Sequence, residues 1–248
     1  MGEGDMISVI LPAFQEAENL EHILPELSTV LRKISAPYEI LVIDTTTPLD
    51  NTKAVCDKID CCRCISREDG NMYGDAIRTG FAKSIGDYVV VMDADGSHDP
   101  KDIVRFYQAI LSEPSVDLII GSRYCKGGHT DNSFILRLMS RVLNITYKIM
   151  FGLKIKDVSD SFRMYKGKQV RALKLSCNNF DIVEEILILL NYSVPNFTAL
   201  EVPISFNKRD AGESKRNLVK FIASYLHTMY KLMKIKKRIT NTARSDVA

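Results

Sequence analysis

The sequence predicts an α/β fold: a mainly parallel sheet flanked by helices. Two observations carry this. Short, almost wholly apolar runs, Ile7–Leu11, Glu39–Ile43, Tyr88–Met92 and Asp117–Gly121, read as strands buried on both faces. Between them lie segments with helical apolar spacing, and this strand–helix alternation is the signature of parallel pairing. Composition agrees, since 248 residues with 46% hydrophobic and 26% charged side chains suffice for a large core in one main domain.

Taken in order, Ile7–Leu11 is a strand closed by Pro12, and Asn19 to Ile34 is a helix through Leu20, Ile23, Leu24, Leu27 and Leu31. Glu39–Ile43 is the second strand, closed by Asp44 and a Thr-rich turn to Asp50, and Asn51–Lys58 is a short helix. Cys61–Ser66 is a weak strand, Gly70–Gly74 a loop and Asp75–Lys83 a helix. Tyr88–Met92 is the strongest strand and ends abruptly at Asp93. Lys101–Leu111 is a helix, with Asp99 as its cap and Pro100 before it. Beyond Asp117–Gly121 the pattern changes: Lys126–Asn132 is a polar loop, Phe134–Phe151 a long amphipathic helix, and Val158–Tyr165 irregular or strand. Phe180–Asn191 is a helix, and Val202–Phe206 an edge strand, because proline cannot donate to a central ladder. Arg209–Lys215 is a polar, glycine-containing loop, and Leu218–Ile235 the last helix.

Net charge is +2, which argues against a dedicated nucleic-acid binder, yet the segment from Ser214 to Ser245 holds nine Lys or Arg and no acid. No apolar run reaches the roughly 18 residues that span a bilayer, and the start lacks the marks of a signal peptide. A cytoplasmic chain, peripheral on a membrane face, is the expectation. Of six cysteines, four fall between Cys56 and Cys64, but without paired C-x2-C spacing or a nearby histidine, so free thiols are expected rather than zinc.

Chemistry concentrates in Asp93-Ala94-Asp95-Gly96-Ser97. Two carboxylates at the end of a buried strand are costly unless solvated or neutralised. A hard divalent cation would neutralise both together with a diphosphate; the plainer reading is a solvated turn. Ligands of open α/β sheets bind at the carboxyl ends of strands. That rim collects Pro12 to Glu16, Asp44, Asp93, Asp95 and Gly121-Ser122-Arg123. A basic set, Arg123, Arg137, Arg141, Arg163, Arg209 and Lys215, follows in the second half, and guanidinium groups match phosphate oxygens. The helices over 134–151 and 218–235 carry apolar stripes with cations, which suits either packing on the domain or lying on an anionic bilayer.

These motifs, in order from Ile7 to Leu218, resemble the inverting family 2 glycosyltransferases. Within them the polyprenyl- and dolichol-phosphate sugar transferases are nearest, with dolichol-phosphate mannosyltransferase catalytic domains as the type. The carrying residues are Pro12-Ala-Phe-Gln-Glu16, Ile43-Asp44, Gly70 to Gly80, Met92 to Asp95 with Ser97 to Pro100, and Gly121 to Tyr124. Ser140-Arg141, Asp157 with Ser161 to Arg163, Glu201 to Phe206, and Arg209 with Gly212 to Lys215 complete the series.

The resemblance implies a GT-A fold, with a catalytic domain over 1–217 and a basic amphipathic helix and tail over 218–248. It implies transfer of a sugar from a GDP- or UDP-linked donor to a polyprenyl phosphate, aided by Mg2+ or Mn2+. Pro12, Glu16, Asp44, Asp93 and Asp95 would bind the donor; Asp93, Asp95 and Ser97 would hold the metal; Asp95, Arg209 and Lys215 would carry catalysis. Arg123, Arg137, Ser140, Arg141 and Ser214 would hold the acceptor phosphate, and the Arg209–Lys215 loop would close over both substrates. A hydroxyl acceptor on a glycan, lipid or small molecule is the alternative. It would need a base, for which Asp160, Asp181, Glu184 and Glu185 are the candidates. A third reading is a weakly active nucleotide-sugar-binding subunit of a membrane complex. The partners implied are the nucleotide sugar, the lipid phosphate, and an anionic membrane surface or a membrane-embedded subunit.

Overall fold

The computed structural model describes residues 5–207 and 227–239. A seven-stranded sheet has the order β3-β2-β1-β4-β7-β5-β8. Its strands are β1 (Ile7–Pro12), β2 (Tyr38–Asp44), β3 (Cys62–Ser66), β4 (Tyr88–Val91), β5 (Leu118–Ser122), β7 (Arg163–Lys166) and β8 (Ala199–Pro203). A two-stranded parallel sheet pairs β6 (His129–Thr130) with β9 (Ser205–Phe206). The helices are α1 (Ala17–Lys33), α2 (Thr52–Cys56), α3 (Tyr73–Lys83), α4 (Asp102–Ser112), α5 (Phe134–Phe151), α6 (Gly167–Arg171) and α7 (Ile182–Ser193), followed by α8 over 227–239.

The buried runs became the central strands, as full burial of β1 and β5 requires. β7 alone runs antiparallel, between β4 and β5, with Arg163 opposite Val91 and Ile120. This reversal positions the site: the segment entering β7, 157–162, arrives at the rim where the parallel strands end. Val202–Phe206 does not form one edge strand. β8 lies at the sheet edge and stops at Pro203, and the chain then crosses to β9 through Ile204, whose carbonyl accepts from His129 N–H.

One core cluster packs α1 and α4 on one face of the sheet, through residues such as Leu24, Leu27, Ile103 and Phe106. Cys56, Cys62 and Cys64 belong to it or pack against it, and all six cysteines are free thiols. The other cluster packs α3 and α7 on the opposite face and takes in Tyr147 and Phe151 of α5 and Leu232 of α8. α8 is pinned further by Thr228 Oγ1 donating to Asp181 Oδ2 (2.9 Å) and by Lys236 Nζ donating to Met150 O (3.1 Å). Residues 218–226 of the expected last helix lie outside the described residues.

Candidate active site

At the carboxyl rim of β1 and β4 lies a cavity of about 340 Å3, walled by Pro12, Phe14, Glu16, Arg67, Tyr73, Asp93, Asp95 and Phe180 among others. Its floor is the turn after β4. Gly96 sits at φ +78°, a left-handed conformation glycine adopts freely, and the chain folds back so that Ser97 N–H (3.1 Å) and Oγ–H (2.6 Å) both donate to Asp95 Oδ1. Ser97 is fully buried, so its hydroxyl serves Asp95 here.

Both oxygens of Asp93 take hydroxyl donors: Tyr73 OH on Oδ1 (3.0 Å) and Ser161 Oγ on Oδ2 (2.8 Å). Burial pushes the Asp93 carboxyl above its ordinary value and neighbouring Asp95 adds to this, against the pull of His98. Two hard carboxylates on an open cavity fit Mg2+ or Mn2+. Among the described residues no three His, Cys, Asp or Glu side chains converge, and a carboxylate pair that leaves coordination positions to diphosphate and water is a normal arrangement for Mg2+. Of the other residues expected on the donor side, Pro12 and Glu16 line the cavity. Asp44 is buried beside it, accepting from Thr45 N–H (2.7 Å), while its carbonyl accepts from Arg67 N–H (2.9 Å).

A buried polar chain leads away from Asp93. His98 Nδ1 accepts from Asp93 N–H (3.2 Å), and His98 Nε2 lies 3.5 Å from Asp160 Oδ1. Burial would lower the imidazole pKa, but the Asp160 carboxylate reverses the sign and raises it. Asp160 Oδ2 is 3.1 Å from Arg123 Nε, and Arg123 also grips Asp157 in a fork, with both contacts at 2.8 Å. Arg123 Nη2 donates to Ser159 Oγ (3.0 Å), which lies 3.4 Å from Ser140 Oγ on α5. Arg123 is thus a largely enclosed, doubly paired cation, while Arg137 and Arg141 stand exposed, Arg141 with its guanidinium 5.8 Å from the centre of the Tyr124 ring.

The four candidate bases are all engaged or enclosed. Burial pushes Asp160 up, but Arg123 and His98 outweigh it and hold its carboxyl below the ordinary value. Asp181 accepts from Asn179 N–H (3.0 Å) and Thr228 Oγ1 (2.9 Å). Glu185 accepts from Ser176 N–H, Ser176 Oγ and Cys177 N–H, anchoring the loop before α7. Glu184 is 1% exposed, and burial pushes its carboxyl up to about 8. Arg209, Ser214 and Lys215 lie outside the described residues.

Sequence reasoning gave no site role to Arg67, Tyr73, Ser161 or Phe180, although Ser161 and the Gly70 to Gly80 span that holds Tyr73 were among its motifs. Arg67 was within reach of the strand-end rule, since β3 ends at Ser66. It is buried and donates to the carbonyls of Asn71 (2.6 Å), Met72 (3.1 Å) and Ala13, tying the loops around the cavity together. Tyr73 and Phe180 enter from helix starts, and Ser161 enters because β7 is reversed.

A model of the family described as "Glycosyl transferase family 2" matches residues 8–173. A dolichol-phosphate mannosyltransferase of Pyrococcus furiosus is 34% identical over 97% of this chain and 67% of its own length. A polyprenol monophosphomannose synthase of Mycolicibacterium smegmatis is 30% identical over 84% of this chain and 79% of its own. Among solved structures, mannosyl-3-phosphoglycerate synthase from Rubrobacter xylanophilus aligns with a TM-score of 0.76 at 16% identity, covering 95% of this chain and 76% of that one. Glucosyl-3-phosphoglycerate synthase from Mycobacterium tuberculosis, in complex with Mn2+, UDP and glucosyl-3-phosphoglycerate, aligns with a TM-score of 0.71 at 18% identity, covering 93% and 80%. At these identities the structural likeness speaks for the fold alone.

Proposed function

The chain belongs to glycosyl transferase family 2 and is a glycosyltransferase of GT-A fold, and from that premise we propose that it transfers a sugar, with inversion, from a GDP- or UDP-linked donor to a polyprenyl phosphate. The observation that carries the acceptor class is the state of the four candidate bases. Asp160 is ion-paired and a weak base, Asp181 and Glu185 are spent on loop and helix contacts, and Glu184 is enclosed. A hydroxyl acceptor needs a group to take its proton. A lipid monophosphate brings an oxygen that is already anionic, and this site suits it. Exposed Arg137 and Arg141, with Ser140 between them in sequence, supply phosphate donors beside the acceptor rim, while Arg123, locked to Asp157 and Asp160, holds that rim in shape.

On the donor side, Asp95 and Asp93 would hold the cation, and Glu16 would face the nucleoside, with Asp44 buried behind the cavity wall. Bound Mg2+ or Mn2+ supplies electrostatic stabilisation of the departing nucleoside diphosphate. The protein's own part is to hold the Asp95 carboxylate rigid through Ser97, so little reorganisation accompanies the reaction.

α5 supports a peripheral position on an anionic membrane. Phe134, Ile135, Leu138, Val142, Ile145 and Ile149 are each more than half exposed. At about 100° per residue they form one stripe, with Arg137, Arg141 and Lys148 along its edge and no acid anywhere in the helix. Among the described residues no helix is long and apolar enough to cross a membrane.

The testing experiment is turnover of Asp95→Ala with GDP- and UDP-sugars, Mg2+ or Mn2+ and a short polyprenyl phosphate. Loss of metal-dependent turnover by at least a hundredfold is expected. Near-wild-type turnover would remove Asp95 from the mechanism.

A further inference from the structure

Asp93 is held by two neutral hydroxyls from separate parts of the chain: Tyr73, which opens α3, and Ser161, just before β7. One hydroxyl on each oxygen fixes the carboxylate plane without cancelling its charge, which a lysine or arginine there would do. Tyr73 is itself fixed. Its ring stacks on Phe180 with centroids 4.1 Å apart and planes 15° from parallel. The neighbouring backbone is clamped to the 177–180 loop, with Gly74 N–H donating to Asn178 O (2.7 Å) and Arg78 Nη1 to Cys177 O (2.6 Å). A Cβ at position 74 would collide with the Cys177 carbonyl, so the clamp depends on glycine. Tyr73, Phe180 and Asp93 all line the same cavity.

We propose that Tyr73, assisted by Ser161, is a positioning residue: it fixes the plane of the Asp93 carboxylate so that its remaining lone pairs face the cavity that takes the donor. This deepens the donor-site assignment above and rests on it. Tyr73→Phe keeps the ring stack and removes only the oxygen, so the fold should survive.

The test is isothermal titration of GDP and UDP, each with Mn2+, into the full chain as wild type, Tyr73→Phe, Ser161→Ala, Asp93→Asn and the Tyr73→Phe/Asp93→Asn double variant, with Tm measured for each. Loss of the orienting hydrogen bond predicts nucleotide binding weaker by about tenfold in Tyr73→Phe, with a fall in Tm of a few degrees that leaves the chain folded at the temperature of the titration. In the Asp93→Asn background the same change should cost almost nothing, because Tyr73 acts through Asp93. Ser161→Ala should weaken binding in the same sense without touching the aromatic stack. Wild-type affinity in Tyr73→Phe, or an equal loss with and without Asp93, would overturn the proposal. Failure of the wild type to bind either nucleotide with Mn2+ would instead overturn the donor site itself, and the proposal with it.

Discussion

Glu184 shows how much one side chain can reveal about its surroundings. It opens α7, a helix apolar on nearly every side, and its Oε2 is buried without a hydrogen-bond partner. Burial pushes its carboxyl from 4.5 up to about 8, ahead of the smaller opposing pull of Arg163. The folded chain therefore holds this proton more tightly than the unfolded chain does. The resulting stability is fully present below pH 4.5 and is lost progressively as pH rises to about 8. Its size is on the order of a few kcal/mol, at roughly 2–4 °C of Tm for each kcal/mol. Glu184→Gln, which stays neutral, should flatten this part of the Tm–pH curve between pH 5 and 9; an unchanged slope would mean that Glu184 ionises normally. The same burial explains why a carboxylate that looked available as a base in the sequence is not presented to an acceptor.

Among the elements, α5 differs most from what burial alone produces. Ser133 caps its start and Gly152, at φ +64°, ends it, so the helix is well delimited, yet only Asn144, Tyr147 and Phe151 are buried. Its outer stripe is legible from periodicity, but that the stripe faces outward is not, because a stripe that packs and one that waits for a membrane have the same spacing. α8 illustrates the opposite outcome: Leu232 is fully buried, Met229 and Ile235 pack around it, and this stripe covers the core. Ile145→Glu/Ile149→Glu changes two exposed positions and should leave Tm unchanged. Each apolar side chain inserted contributes about 1.5–3 kcal/mol, so flotation with anionic vesicles should weaken by more than tenfold. Raising salt should weaken the wild type further through the cations, by up to about 1 kcal/mol each. Vesicle binding that ignores both changes would detach α5 from the membrane. β6 and α6 were not read from the sequence, and β9 was merged with β8 into one strand, since such short runs carry too little periodicity to separate.

For the whole molecule, the parallel strands were legible because strands buried on both faces must be apolar throughout, and their ends located Pro12, Glu16, Asp93 and Asp95 at one cavity. What escaped was every contribution that depends on tertiary closure: the reversed β7 that brings Asp157, Asp160 and Ser161 to the rim, the Arg123 ion pairs, and the Tyr73–Phe180 wall. Such contacts join residues far apart in the chain, as Ser161 and Asp93 are, and no local spacing encodes them. Together they support the proposed reading of a rigid donor side at the Asp93–Asp95 cavity and an acceptor side served by the exposed arginines of α5, with no free carboxylate among the four candidate bases. The most direct test is a paired transfer assay with one donor, metal and enzyme, offering a polyprenyl phosphate in one arm and the matching unphosphorylated polyprenol or a soluble sugar in the other. The account predicts a glycosylated lipid phosphate in the first arm and turnover about a hundredfold lower in the second, since none of the four candidate bases among the described residues is presented to an acceptor. Equal or faster transfer to a hydroxyl acceptor would contradict it.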